Sequence, residues 1–170
     1  MNRSTTAAPA ATESPDPLNL DDLKRPEGQA FRLLHTGFTV APILFGLDKF
    51  AGVLTDWTQY LAPVFPSLLG VSKQTFMYGV GVVEVTAGIL VALKPRYAAY
   101  VVAAWLAGII LNLLLLGRYL DVALRDFGLL LGALALARLA EAHARQAHRA
   151  DVAVADHGAT TPAAQARSAA

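Results

Sequence analysis

Four predominantly apolar stretches dominate the chain. Each is near the length of about 20 residues that a helix needs to cross the hydrocarbon core of a bilayer. The first, residues 31–54, reads FRLLHTGFTVAPILFGLDKFAGVL, with Pro42 set to remove one rung of its hydrogen-bond ladder. The second, 75–93, reads TFMYGVGVVEVTAGILVAL and carries a single charge, Glu84, in its middle. The third covers 97–116 and is closed by Gly117; the fourth covers 121–140. Only Lys94-Pro95-Arg96 separates the second from the third, and only 118–120 the third from the fourth. Connections this short make those three stretches antiparallel neighbours. The pattern predicts an all-α protein, a four-transmembrane-helix bundle over residues 30–141.

The one long connection, 55–74 (TDWTQYLAPVFPSLLGVSKQ), is too short and too broken by proline to cross a membrane. Its Trp57, Tyr60 and Phe65, with Leu61, Leu68 and Leu69, suit a segment lying at the headgroup level. A plain loop packed on the bundle is the competing reading. Residues 1–29 are rich in Ala, Thr, Ser, Pro and Asp and read as a disordered tail. No apolar run follows Arg3, so this is not the pattern of a cleavable signal peptide. Past the fourth stretch, Glu141 and Arg145 sit at helical i,i+4 spacing, so 142–170 reads as a solvated helix extension that gives way to a tail from 157.

Composition strengthens the membrane reading. Of the 170 residues, 55% are hydrophobic and 16% charged, against roughly 25% charged in an ordinary soluble domain. Cysteine is absent, which excludes disulfides, zinc–thiolate sites and iron–sulfur clusters built by this chain. The net charge of +1 hides an asymmetry. With both termini on one side, that side holds Arg3, Lys24, Arg25, Arg32, Lys94, Arg96, Arg138, Arg145, Arg149 and Arg167, ten basic residues; the other holds Lys49, Lys73, Arg118 and Arg125, four. The positive-inside rule then places both termini in the cytoplasm of a multi-pass inner-membrane protein, with the aromatic connection outside. The lipid bilayer is its first partner, and nothing in the sequence points to nucleic acid.

Converting position to depth at about 1.5 Å per residue brings the polar residues of different stretches to similar levels. Asp48 and Lys49 lie about a turn and a half below the outer end of the first stretch, Asn112 a similar distance into the third, and Arg125 and Asp126 about one turn into the fourth. Glu84 is deeper. These six residues form one expected polar cluster in the outer half, with Lys49 and Arg125 neutralising carboxylates from other stretches. Intramembrane charges pair with one another or face a wet cavity. The cluster is therefore either a set of ion pairs and hydrogen bonds that fixes helix order, or the lining of a pocket for a small polar molecule, a proton or a quinone headgroup.

His35 is a secondary candidate, read chiefly as a hydrogen-bonded packing residue. A bis-histidine haem needs two histidines within the spans, and only His35 lies in one. His143, His148 and His157 do not share a helical face, so no metal site is expected there. Gly128 and Gly132, and Ala104 and Gly108, are small-xxx-small pairs that suit close helix contact inside the bundle or in a homo-oligomer. No phosphate-binding, nucleophile-elbow, zinc-protease or dinucleotide motif lies in a credible context, and catalysis by the chain alone is not expected.

The chain resembles the DoxX-like family of small four-span bacterial membrane proteins. The resemblance rests on FGLDKF (45–50), GVVEVTAGILVAL (81–93) and LRDFGLLLGALALARLA (124–140), and covers roughly residues 31–140. It implies an accessory or quinone-associated subunit of a membrane redox system, with a membrane or soluble oxidoreductase as partner and quinone as the associated cofactor. It also singles out Lys49, Glu84, Arg125 and Asp126. A small-solute or proton permease, and a structural assembly protein without a ligand, are the alternatives.

Overall fold

A computed structural model describes residues 25–168, and every regular element among them is helical. The elements are α1 (Pro26–Ala51), a 3-10 turn (Trp57–Tyr60), α2 (Val64–Leu69), α3 (Lys73–Leu93), α4 (Pro95–Leu116) and α5 (Leu120–Ser168). Residues 1–24 of the expected N-terminal tail lie outside the described residues. Residues 26–29, assigned to that tail from composition, instead form the first turn of α1. The last helix likewise continues through the stretch read as a tail from 157, up to Ser168.

Local chemistry sets these boundaries. Pro26 opens α1 where a missing N–H costs nothing, and Glu27 in the first turn suits the positive end of the helix dipole. The helix runs through Pro42 and ends at Gly52, whose φ of 63° is the left-handed conformation that only glycine adopts freely. Ser72 caps α3 by accepting a hydrogen bond from Thr75 N at 3.1 Å. Pro95 opens α4 one residue after α3 ends, which makes the α3–α4 turn as tight as the sequence implies.

The four long helices form a ring in the order α1, α3, α4, α5, with α1 against α3 and α4 against α5 making the two broad contacts. Small residues fill the α4–α5 side. The shared core is Ala87, Val91, Ala98, Ala99, Val102, Ala103, Leu106, Ala133, Leu136 and Ala137. Larger apolar side chains point outward: Leu33, Leu44, Leu93, Tyr97, Leu115 and Leu124 are all more than half exposed. Water would penalise such a surface heavily, whereas hydrocarbon does not, and small residues let helices approach closely.

The α1–α3 seam is tighter still. A Cβ placed on Gly46 would lie 2.7 Å from Gly81 O, one on Gly81 2.7 Å from Gly46 O, and one on Gly88 2.7 Å from Thr39 O. Only glycine permits that backbone approach. By contrast, Gly108 and Gly128 face open space, and Gly132 meets only the Phe38 ring and Leu34. The small-xxx-small pairs expected to pack the bundle are thus largely unused inside it, and the α3 glycines with Gly46 take that role.

Three helices, α1, α3 and α4, are long and apolar enough to cross a membrane. In α5 the charges Asp121, Arg125 and Asp126 precede the uncharged run 127–137, and Arg138 follows it.

Candidate functional site

All four long helices send a polar or indole side chain toward one point near the end of the bundle that carries the 52–72 connection. Lys49, in the last turn of α1, donates from Nζ to Glu84 Oε2 of α3 at 2.5 Å, and the two side chains are only 4% and 12% exposed. Lys49 reaches Glu84 because Gly81, one turn earlier on α3, lets the backbones touch: a Gly81 Cβ would sit 3.2 Å from Lys49 Cβ. Asp126 of α5 is buried and within electrostatic range of Glu84, and the half-buried Trp105 of α4 stands beside them. The Trp105 indole N–H is buried and leans toward Glu84 without forming a hydrogen bond.

The Lys49 ammonium also lies 4.0 Å from the centroid of the Trp57 ring, a cation–π contact. The indole N–H of Trp57 donates to Asp48 Oδ2 at 2.7 Å. Asp48 accepts from Val53 N and Leu54 N as well, at 3.0 and 3.1 Å on Oδ1. Its carboxylate therefore closes the C-terminus of α1 and fixes the first residues of the connection over the ion pair. Asn112 of α4 works on the other side of the same connection. Its Oδ1 accepts from Ala62 N at 2.9 Å, and its Nδ2 donates to Tyr60 O at 2.6 Å. Leu61 and Ala62, between those two bonds, are almost fully buried. The 57–62 part of the connection is thus packed on the bundle, while Leu68 and Leu69 of α2 are largely exposed.

Replacing Asn112 with leucine removes both bonds and leaves the N–H of buried Ala62 and the half-buried Tyr60 carbonyl unpaired. The expected loss is about 2 kcal/mol. Amide hydrogen exchange at 57–62 should accelerate while α3 and α4 stay protected. Uniform acceleration across the bundle would mean that Asn112 supports the whole fold rather than the connection.

Between the connection and the start of α3 lies a recess of about 260 Å³, lined by Lys49, Gly52, Thr55, Asp56, Trp57 and Gln74. Lys49 is its one cationic wall, and behind Lys49 is Glu84. The recess is small against the roughly 300–1,000 Å³ of drug-sized sites, so it suits a single ring or a compact polar group.

The six expected residues thus divide. Lys49, Glu84 and Asp126 converge within the bundle. Asp48 and Asn112 lie at the same end but spend their hydrogen bonds on the connection. Arg125 does not join the interior: its side chain is 69% exposed and meets Asp126 only at 3.6 Å. Burial of Asp126 and exposure of its neighbour follow from the 100° step between adjacent helical residues. His35 is at the opposite end, with Nε2 2.9 Å from Val91 O in the last turn of α3. That placement accords with the packing role read for it, and its ring stacks on Phe31. Phe31 also stacks on His143 of α5. Trp105, Asp56 and Gln74 were not singled out by sequence reading. Trp105 looks like any aromatic in an apolar span, and Asp56 and Gln74 look like ordinary loop polarity.

No group of three or more His, Cys, Asp or Glu side chains among the described residues is arranged to hold a metal ion. Comparison with known proteins yields no matching family model, no matching curated protein and no matching solved structure. Among the described residues, three helices are long and apolar enough to cross a membrane and every regular element is helical, an architecture compatible with a membrane protein.

Proposed function

We propose that this is a four-span inner-membrane protein of the DoxX-like type, serving as an accessory, quinone-associated subunit of a membrane redox system. The observation that carries the reading is the buried Lys49–Glu84 ion pair, whose lysine lines the recess beside the connection. A buried ammonium with hydrogens to spare is a donor for a ligand carbonyl, and burial strengthens that bond. α5 supplies the fourth span from Leu120 onward; Asp126 faces inward and Arg125 reaches the interface. Both termini then face the cytoplasm, as the basic residues favour.

The test is titration of the purified protein in lipid nanodiscs with a short-chain quinone, read by tryptophan fluorescence, since Trp57 lines the recess. Saturable quenching in the wild type and its loss in Lys49→Met/Glu84→Leu support the reading. Absence of quenching, together with absence of any co-purifying oxidoreductase, overturns it.

One observation favours a second, purely structural role. Asp48 and Asn112 are fully engaged in holding the connection, and the same logic extends to an ion pair that only orders the helices. The double variant separates the two, because it preserves a structural role and removes a ligand-binding one. A permease is less well supported, since the glycine seam between α1 and α3 leaves no room for a path through the bundle there.

A further inference from the structure

The recess presents a second fixed polar group besides Lys49. Asp56 stands at its rim, outside the long helices. Its Oδ1 accepts from Thr58 Oγ1 at 2.7 Å and from Thr58 N at 2.9 Å, which holds the carboxylate in place. Oδ2 receives no hydrogen bond from any described residue. The Thr58 hydroxyl and backbone N–H hold the Asp56 carboxyl below the usual carboxylate range, with a smaller contribution from the Lys73 charge. Asp56 is therefore an acceptor with no proton of its own to donate at neutral pH.

Charge limits what can share this space. An added anion would meet Asp56 at the rim and Glu84 behind Lys49. An added cation would meet the Lys49 ammonium, already seated over the Trp57 ring. A neutral ligand meets the Lys49 donor and the Asp56 acceptor beside the flat wall of Trp57, with Thr55 and Gln74 completing the polar lining. The volume of about 260 Å³ holds one substituted six-membered ring.

We infer that the recess selects a neutral, single-ring ligand bearing a hydroxyl donor, of the phenol or hydroquinone class, and that Asp56 is the residue that sets this preference. The hydroxyl donates to Asp56 Oδ2, and an oxygen elsewhere on the ring accepts from Lys49. This inference rests on the reading of the recess as a binding site and adds the direction of its selectivity: a ring with a hydroxyl binds better than the same ring without one.

The test uses 4-methoxyphenol and 1,4-dimethoxybenzene, which differ by conversion of one hydroxyl to a methyl ether. Binding is measured by tryptophan fluorescence on the full chain in nanodiscs. The wild type is expected to hold the phenol about ten-fold more tightly, the scale of one hydrogen bond to a charged acceptor. Asp56→Asn keeps the side-chain oxygen that receives the Thr58 bonds, so the cap survives. In this variant the preference should collapse, with the phenol held no more tightly than dimethoxybenzene. Equal affinity for the two rings in the wild type, or a preference that survives in Asp56→Asn, overturns the assignment to Asp56 while leaving quinone binding intact. If neither ring nor the quinone binds, the recess is not a ligand site, and both readings fall.

Discussion

Glu84→Leu is expected to destabilise the bundle by about 3–5 kcal/mol, and adding Lys49→Met is expected to recover most of that loss. The first change leaves the Lys49 ammonium buried at 4% exposure without its partner. Removing one member of a buried pair costs about this much because an unpaired charge remains, whereas replacing both with apolar side chains of similar volume is often neutral or better. Trp57 offsets part of the loss, since its ring still faces the ammonium at 4.0 Å. Asp48 gives little relief: its two oxygens already take the Trp57 indole and two backbone N–H groups. Reversible denaturation of the protein in mixed micelles, followed by circular dichroism, checks the series. If Glu84→Leu matches the wild type, the pair is not energetically coupled. If the double variant is as unstable as the single, the polar groups hold something beyond each other, and Asp126 is the next residue to change.

The meeting of Lys49 and Glu84 was legible in the sequence because both are charges in apolar runs, and such charges must find a partner. Depth counting put both in the outer half, with Glu84 the deeper. It could not separate Arg125 from Asp126, since depth is one coordinate and the direction around the helix is another. Asp48 shows the same limit from the other side. It is adjacent to Lys49 and equally buried, yet its carboxylate serves the backbone of residues 53 and 54 and the Trp57 indole. Nothing in the spacing of FGLDKF says that the helix stops at Gly52 and turns back over its own last turn. The recess was illegible for a related reason: Gln74, at the start of α3, and Gly52, Thr55, Asp56 and Trp57 become its walls only once the connection is folded.

The helices themselves were readable from their apolar runs and the short turns between them, with Pro95 marking the start of α4. The ends moved where composition was the only guide. Pro26 and Glu27 are good first-turn residues in a stretch otherwise resembling the tail. The pairing of α1 with α3 was not readable either. Between them lies the one connection long enough to allow several arrangements, and short turns constrain only α3, α4 and α5. The signal that does encode the pairing is the matched set Gly46 on one helix and Gly81 and Gly88 on the other, and glycines alone do not announce their partners.

That seam gives the second large effect. Gly46→Ala puts a methyl group 2.7 Å from Gly81 O, 2.8 Å from Val85 Cγ2 and 2.9 Å from Val85 N. Two of those three atoms are backbone, so no rotamer change clears the clash and the helices must separate. Overpacking of this kind costs about 1–3 kcal/mol, larger than the gain of about 1 kcal/mol that alanine brings to a helix interior. Gly81→Ala meets Gly46 O at 2.7 Å and the Phe50 ring at 2.9 Å, so it should fall in the same range. The two changes press on the same contact. Once one methyl has separated the helices, the second finds room already made, and the double variant should lose less than the sum of the singles. Gly128→Ala is the control, since nothing lies within 4 Å of its Cβ position; it should be neutral or stabilising by up to about 1 kcal/mol. The seam also places Lys49 beside Gly81. Gly81→Ala, with its methyl 3.2 Å from Lys49 Cβ, should therefore weaken quinone quenching of Trp57 as well as lowering stability, while Gly128→Ala leaves it unchanged. A Gly81→Ala protein that loses stability yet binds the quinone as the wild type does would detach the ion pair from the ligand and favour its purely structural role.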